Sequence, residues 1–138
     1  MTGLVIDASI AAAWYLDDEA NAHADWVAEE IRRGLAVHAP THWMMEIANV
    51  LFLSERRKQI TKESLDLALL SVGRLPLTLH APPPMADMKT LRLYTEKHGL
   101  TAYDAEYLRV AKERKLPLAT LDRALLAAAK REKIETVG

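Results

Sequence analysis

Short apolar or alternating runs take turns along this chain with longer stretches of helical period. Gly3-Leu4-Val5-Ile6 is apolar throughout and reads as a short strand buried on both faces. From Ala8 to about Gly34 the chain is Ala-rich with helical spacing, interrupted near Asp17-Asp18, and Gly34 supplies a C-cap. Ala36-Val37-His38-Ala39 is a weak second strand ending at Pro40. Thr41 reads as the N-cap of a helix reaching about Arg57, and Thr61 as the start of another that stops near Gly73. Leu77-Thr78-Leu79-His80 alternates as a third strand, and Pro82-Pro83-Pro84 makes a rigid connection to a helix over Met85 to His98, ended by Gly99. Thr101-Ala102-Tyr103-Asp104 opens the next helix, which runs to about Lys115. Pro117 to Leu121 is a strand, Asp122 to about Glu132 is helical, and Ile134 to Val137 forms a last edge strand.

Strands that alternate with helices pair in parallel through right-handed crossovers, so the expected fold class is α/β: a three-layer α/β/α sandwich around a mainly parallel sheet. The chain has 138 residues and no repeat, low-complexity tract or linker, so residues 1–138 read as one domain. With no cysteine, disulfides and thiolate metal sites are excluded. No stretch is long or apolar enough to cross a bilayer, and Met1-Thr2-Gly3 lacks the basic region of a signal peptide, so a cytoplasmic protein without membrane contact is expected. Eighteen Lys and Arg stand against 19 Asp and Glu, a net charge of -1. Binding of nucleic acid by bulk electrostatics alone is therefore excluded, and any affinity for RNA must come from local basic patches and a bound cation.

Four acidic residues, far apart in sequence, fall at one edge of the expected sheet. Ligands of open parallel sheets bind beyond the carboxyl ends of the strands. Asp7 closes the first strand and Asp122 the Leu118 to Leu121 run, while Glu46 and Asp104 lie in early turns of helices that start at that edge. Each has a structural explanation of its own. Asp122 is a good N-cap, Asp104 follows Thr101 as in a capping box, and Glu46 can occupy the solvated stripe of an amphipathic helix. Asp7 resists such an explanation, because an unpaired carboxylate directly after an apolar strand costs several kcal/mol. A cation or the N-terminus of the following helix removes that cost. All-oxygen ligation of this kind selects Mg²⁺ or Mn²⁺, which activates water and stabilises charge on phosphate.

Val5-Ile6-Asp7-Ala8-Ser9, then Pro40-Thr41-His42-Trp43-Met44-Met45-Glu46 with Asn49, then Leu100-Thr101-Ala102-Tyr103-Asp104, and last Pro117-Leu118-Ala119-Thr120-Leu121-Asp122, occur in an order that resembles the PIN-domain family. Within it, the chain is most similar to the VapC-type toxins of toxin–antitoxin pairs. The resemblance covers essentially the whole chain. It implies a metal-dependent endoribonuclease that cleaves structured RNA, such as a tRNA or rRNA loop, with an activated water. Asp7 and Asp104 would contact the first metal, and Glu46 and Asp122 would complete the site. Ser9, Asn49 and Thr120 would support it, although capping or turn roles explain these three equally well. Implied partners are a cognate antitoxin, whose tail would lie near Trp14, Tyr15, Trp43, Met44 and Met45, and a second copy of the chain in a homodimer. Basic candidates for phosphate contact are Arg56, Arg57, Lys58, Arg109, Lys112 and Arg123.

Two other readings compete. A Mg²⁺-dependent phosphatase with Asp7 as nucleophile would want a second Asp two positions later, where Ser9 stands. A non-catalytic domain that only binds RNA or protein, either a receiver domain or a degenerate PIN scaffold, would have no need of all four acids.

Overall fold

A computed structural model describes residues 1–138. Its elements run β1 (Gly3–Ile6), α1 (Ala8–Tyr15), α2 (Ala22–Arg32), β2 (Ala36–Pro40), α3 (Trp43–Arg56), α4 (Lys62–Gly73), β3 (Leu77–His80), α5 (Lys89–His98), α6 (Ala102–Arg114), β4 (Leu118–Ala119), α7 (Arg123–Arg131) and β5 (Thr136–Val137). Single 3-10 turns at Asp17–Glu19 and Met85–Asp87 interrupt the connections. The five strands form one wholly parallel sheet in the order β3-β2-β1-β4-β5, as expected of an α/β fold.

β1 lies at the centre. All four of its residues are buried, and successive side chains point to opposite faces, so helices cover both sides of the sheet. The chain moves outward from β1 to β2 and β3, then returns to β4 on the other side of β1. That reversal makes a topological switch point between β1 and β4, where a crevice opens beyond the strand ends. The small buried residues of α1, Ala8, Ala11, Ala12 and Ala13, let it lie close to its neighbours. α6 is buried continuously from Ala105 to Ala111, including Glu106 and Arg109.

Buried charge in α6 is internally paired. The Arg109 guanidinium bonds both Glu106 oxygens and Glu113, and it also donates to the Ala81 carbonyl at 3.0 Å. Arg109 is thus a strut between α6 and the loop after β3, which corrects its expected role as a phosphate contact. Burying a guanidinium is tolerable only with such partners. Lys112, although exposed, donates to the Glu132 carbonyl at 2.5 Å.

Several boundaries differ from expectation, among them that of β5, which starts at Thr136 instead of Ile134. Thr41 does not cap α3, because its N–H donates to the His80 carbonyl at 3.0 Å and extends the β2–β3 pairing. His42 occupies the cap position without a side-chain cap bond. The helix expected from Met85 starts at Lys89, since Asp87 N–H bonds Pro84 in a 3-10 turn at 2.8 Å first. β4 is two residues long instead of five. Pro117 has no N–H to pair, and beyond Thr120, whose N–H still reaches the Val137 carbonyl at 3.1 Å, side-chain hydroxyls intercept the backbone donors. Leu121 N–H goes to Ser9 Oγ at 2.9 Å and Asp122 N–H to Thr120 Oγ1 at 3.0 Å.

Candidate active site

Asp7 sits at the switch point. Its backbone N–H still pairs with Ala119 across the β1–β4 junction at 3.2 Å, and its side chain caps α1. Oδ1 accepts from Ser9 N–H at 3.1 Å, Ser9 Oγ at 2.5 Å and, weakly, Ile10 N–H at 3.4 Å. Oδ2 accepts from Thr120 Oγ1 at 2.5 Å, 113 residues away in sequence. The residue is only 6% exposed. Burial raises its pKa from 3.8 to about 6, even though the hydrogen bonds from Ser9, Thr120 and Ile10 favour the charged form; Asp122 adds to the rise by repulsion. With both oxygens engaged, Asp7 is poorly disposed to attack a substrate covalently.

Glu46 belongs to the first turns of α3. Burial pushes its pKa up, but His42 and Tyr107 outweigh that effect and hold it below the ordinary carboxylate value. The Tyr107 hydroxyl donates to Oε1 at 2.5 Å, and His42 Nε2 lies 3.2 Å from the same oxygen. His42 rests edge-to-face against both Tyr107 and Tyr103, with ring centroids 5.3 and 5.4 Å apart. Tyr107, itself buried in the core, has its hydroxyl pKa pushed strongly upward by desolvation and by the adjacent Glu46. It is therefore a hydrogen-bond donor at any physiological pH.

Asp104 follows the Thr101 cap of α6, whose Oγ1 accepts from Asp104 N–H at 3.2 Å. Its carboxylate makes no hydrogen bond within the protein. Burial raises its pKa, and repulsion by Asp122 and Glu46 raises it further. Asp122 is an exposed N-cap of α7 that accepts from Leu125 N–H at 2.9 Å. These couplings link all four carboxylates. Asp122 acts on Asp7 and Asp104, and Glu46 acts on Asp104.

No three of these groups meet closely enough to form a metal-ligand cluster as their side chains stand. The reason is local: Asp7 and Asp122 turn an oxygen back to cap helices, and Glu46 turns one to Tyr107. The donor set is nonetheless wholly oxygen, and no Lys or Arg is among the groups that act on Asp7 and Asp104, whose pKa values burial raises. Both features fit a hard divalent cation.

Among the supporting residues, Ser9 and Thr120 bond Asp7 directly, whereas Asn49 is exposed and makes no bond to Glu46. Of the aromatic and Met residues assigned to partner contact, Trp43 is fully buried, because it is a core anchor of α3, and Trp14 donates to the Ala24 carbonyl at 2.8 Å. Met44 and Met45 are exposed. Sequence reasoning missed His42 and Tyr107. The signals were their spacings, four residues before Glu46 and three after Asp104, each one helical turn away.

A family model described as the PIN domain matches residues 4–131. Ribonuclease VapC3 of Pyrobaculum aerophilum is 29% identical over 122 residues, covering 88% of this chain and 91% of that protein. The crystal structure of PAE2754 from Pyrobaculum aerophilum is similar with a TM-score of 0.63 and 25% identity, over 92% of this chain and 84% of the other. Two more distant structures share the fold. VapC20 of Mycobacterium tuberculosis, described as a Sarcin-Ricin loop cleaving toxin, has a TM-score of 0.61 at 15% identity, covering 91% of this chain and 95% of that one. FitAcB from Neisseria gonorrhoeae has a TM-score of 0.62 at 15% identity, covering 98% and 96%. No helix of the chain is long and apolar enough to cross a membrane.

Proposed function

The chain belongs to the PIN domain family, and from that premise we propose that it is a Mg²⁺- or Mn²⁺-dependent endoribonuclease, the toxin of a type II toxin–antitoxin pair. The observation that carries the reading is the placement of Asp7 at the end of β1, Glu46 and Asp104 in the first turns of α3 and α6, and Asp122 at the cap of α7, all at one edge of the sheet. Four carboxylates placed to repel one another cost stability unless a cation offsets them. The kinship with Ribonuclease VapC3 supports the choice of RNA.

In this reading Asp7 and Asp104 hold the metal directly, and Glu46 and Asp122 complete its surroundings. A bound divalent cation supplies Lewis acidity, lowering the pKa of water and stabilising charge on the phosphate. The protein supplies position. Ser9 and Thr120 lock the Asp7 carboxyl between α1 and β4. Tyr107 fixes Oε1 of Glu46 and keeps the group ionised, so that Oε2 is left to orient water or accept a proton from it. The whole of residues 1–138 acts as one nuclease unit in the cytoplasm, as a homodimer, on a structured RNA such as a tRNA or rRNA loop. A cognate antitoxin restrains it, with Met44 and Met45 offering apolar contact near the site.

The test is endonuclease activity on total cellular RNA with Mg²⁺, Mn²⁺ or EDTA, comparing wild type with Asp7→Asn. Cleavage that requires the metal and is lost in the variant supports the reading; metal-independent cleavage, or equal cleavage by the variant, sinks it. A second reading, a non-catalytic PIN scaffold that binds RNA or protein, draws on the fact that the carboxylates do not already meet. It predicts that Asp7→Asn leaves every effect on RNA intact.

A further inference from the structure

Tyr103 is unused by the fold. It is the second residue of α6, directly before Asp104, and 64% of it is exposed. No hydrogen bond engages its hydroxyl. Its ring is nevertheless held in place, edge-to-face with His42 at an interplanar angle of 69°, and His42 in turn meets Tyr107 at 74°. Because Tyr107 is buried and bonded to Glu46, the row Tyr107–His42–Tyr103 runs from the core to the rim beside two of the four carboxylates.

The surroundings are acidic. The groups that shift Asp7, Glu46 and Asp104 are other carboxylates, hydroxyls, the Ile10 backbone and His42, with no Lys or Arg among them. The protein itself therefore offers RNA little ionic attraction at this rim, where a bound cation would hold the phosphate but not the base, and the whole chain carries a net charge of -1. Stacking of a base on an aromatic face needs no charge, and every base has a face to offer. A base in a duplex is already stacked on its neighbours, so only an unpaired one is free to move onto a protein ring.

Building on the ribonuclease reading, we propose that Tyr103 is a stacking platform for an unpaired nucleobase next to the scissile phosphate. The site then selects single-stranded or loop RNA, and Tyr103 is a specificity-determining residue. A protein partner is the less favoured occupant, because a residue adjoining Asp104 on a braced ring is placed to position whatever enters the catalytic crevice.

The experiment uses single-stranded RNA carrying 2-aminopurine at successive positions, bound to the wild-type protein with Ca²⁺ in place of Mg²⁺, an ion that also takes all-oxygen ligands, and checked on a gel to be intact. Bases at one position are expected to change emission on binding. Adding Tyr103→Leu should weaken binding about tenfold or more and abolish that change, while Tyr103→Trp retains both. The same sequence as a duplex should bind without dependence on Tyr103. Unchanged affinity and emission with Tyr103→Leu overturns the platform, as does failure of the Tyr103-bearing protein to bind the strand. So does a loss confined to self-association or protein binding. The two readings separate in the cleavage assay. Tyr103→Leu in the otherwise wild-type chain should raise KM for RNA with little change in kcat. If it cleaves with wild-type KM, the platform fails and the ribonuclease stands. If the wild type cleaves no RNA yet the emission change depends on Tyr103, the ribonuclease fails and the platform stands.

Discussion

Replacing Asp7 by Asn should stabilise the metal-free protein at neutral pH, although it removes a residue central to the site. The amide keeps the size of the carboxyl and its capping oxygen, and its NH₂ can donate to Thr120 Oγ1 in place of accepting from it. What changes is charge. Burial carries the Asp7 pKa from 3.8 to about 6 in the folded protein, and at ~1.4 kcal/mol per pH unit this opposes folding by about 3 kcal/mol once the group is fully ionised. The sign follows from proton counting. Between 3.8 and about 6 the folded state binds more protons than the unfolded chain, so stability falls as pH rises through that window and stays reduced above it. Below 3.8 both states are protonated and the effect vanishes. An Asn at position 7 has no such dependence. Urea unfolding in EDTA, from about pH 4 to about pH 8, should show the variant gaining on the wild type by roughly 2–3 kcal/mol, most of it below pH 6. Comparing the two proteins at each pH cancels the other carboxylates. Added Mg²⁺ should recover stability in the wild type and much less in the variant. Parallel stability profiles for the two proteins would refute both the buried-charge account of Asp7 and the cation argument built on it.

Three further outcomes follow from other contacts. Tyr107→Phe preserves the core ring but removes the donor to Glu46; the bond to a charged acceptor is worth about 1.5–3 kcal/mol, so half-saturation by Mg²⁺ in the cleavage assay should rise about tenfold or more. Unaltered metal dependence would show that Glu46 needs no such support. Asp122→Ala should lose about 1 kcal/mol of stability as a helix cap, and Asp122→Asn should lose almost none; if both lose cleavage equally, the carboxylate acts beyond capping. Arg109→Met leaves Glu106 buried without its partner and should destabilise by about 3–5 kcal/mol in urea unfolding, with RNA affinity per folded molecule unchanged.

The sequence by itself determined the architecture and the positions of the acids. The alternation of apolar runs with helical periods specified a parallel α/β sheet, because each pattern buries its apolar face in only one kind of element. The placement of Asp7, Glu46, Asp104 and Asp122 after strands or at helix starts was equally legible, since those points share one edge of such a sheet. Local chemistry was readable too: Thr101 and Asp122 cap their helices as their neighbours imply.

Only the tertiary structure decided what each carboxylate does there. Thr120 reaches Asp7 across 113 residues and Tyr107 reaches Glu46 across 61, pairings that no local pattern encodes. The same holds for Arg109, which read as a surface cation and is a buried strut instead, because α6 is covered on nearly every side. Periodicity states which face of an element is apolar, while burial depends on what packs against the remaining faces. A carboxyl's charge, and therefore its chemistry, is set by that packing.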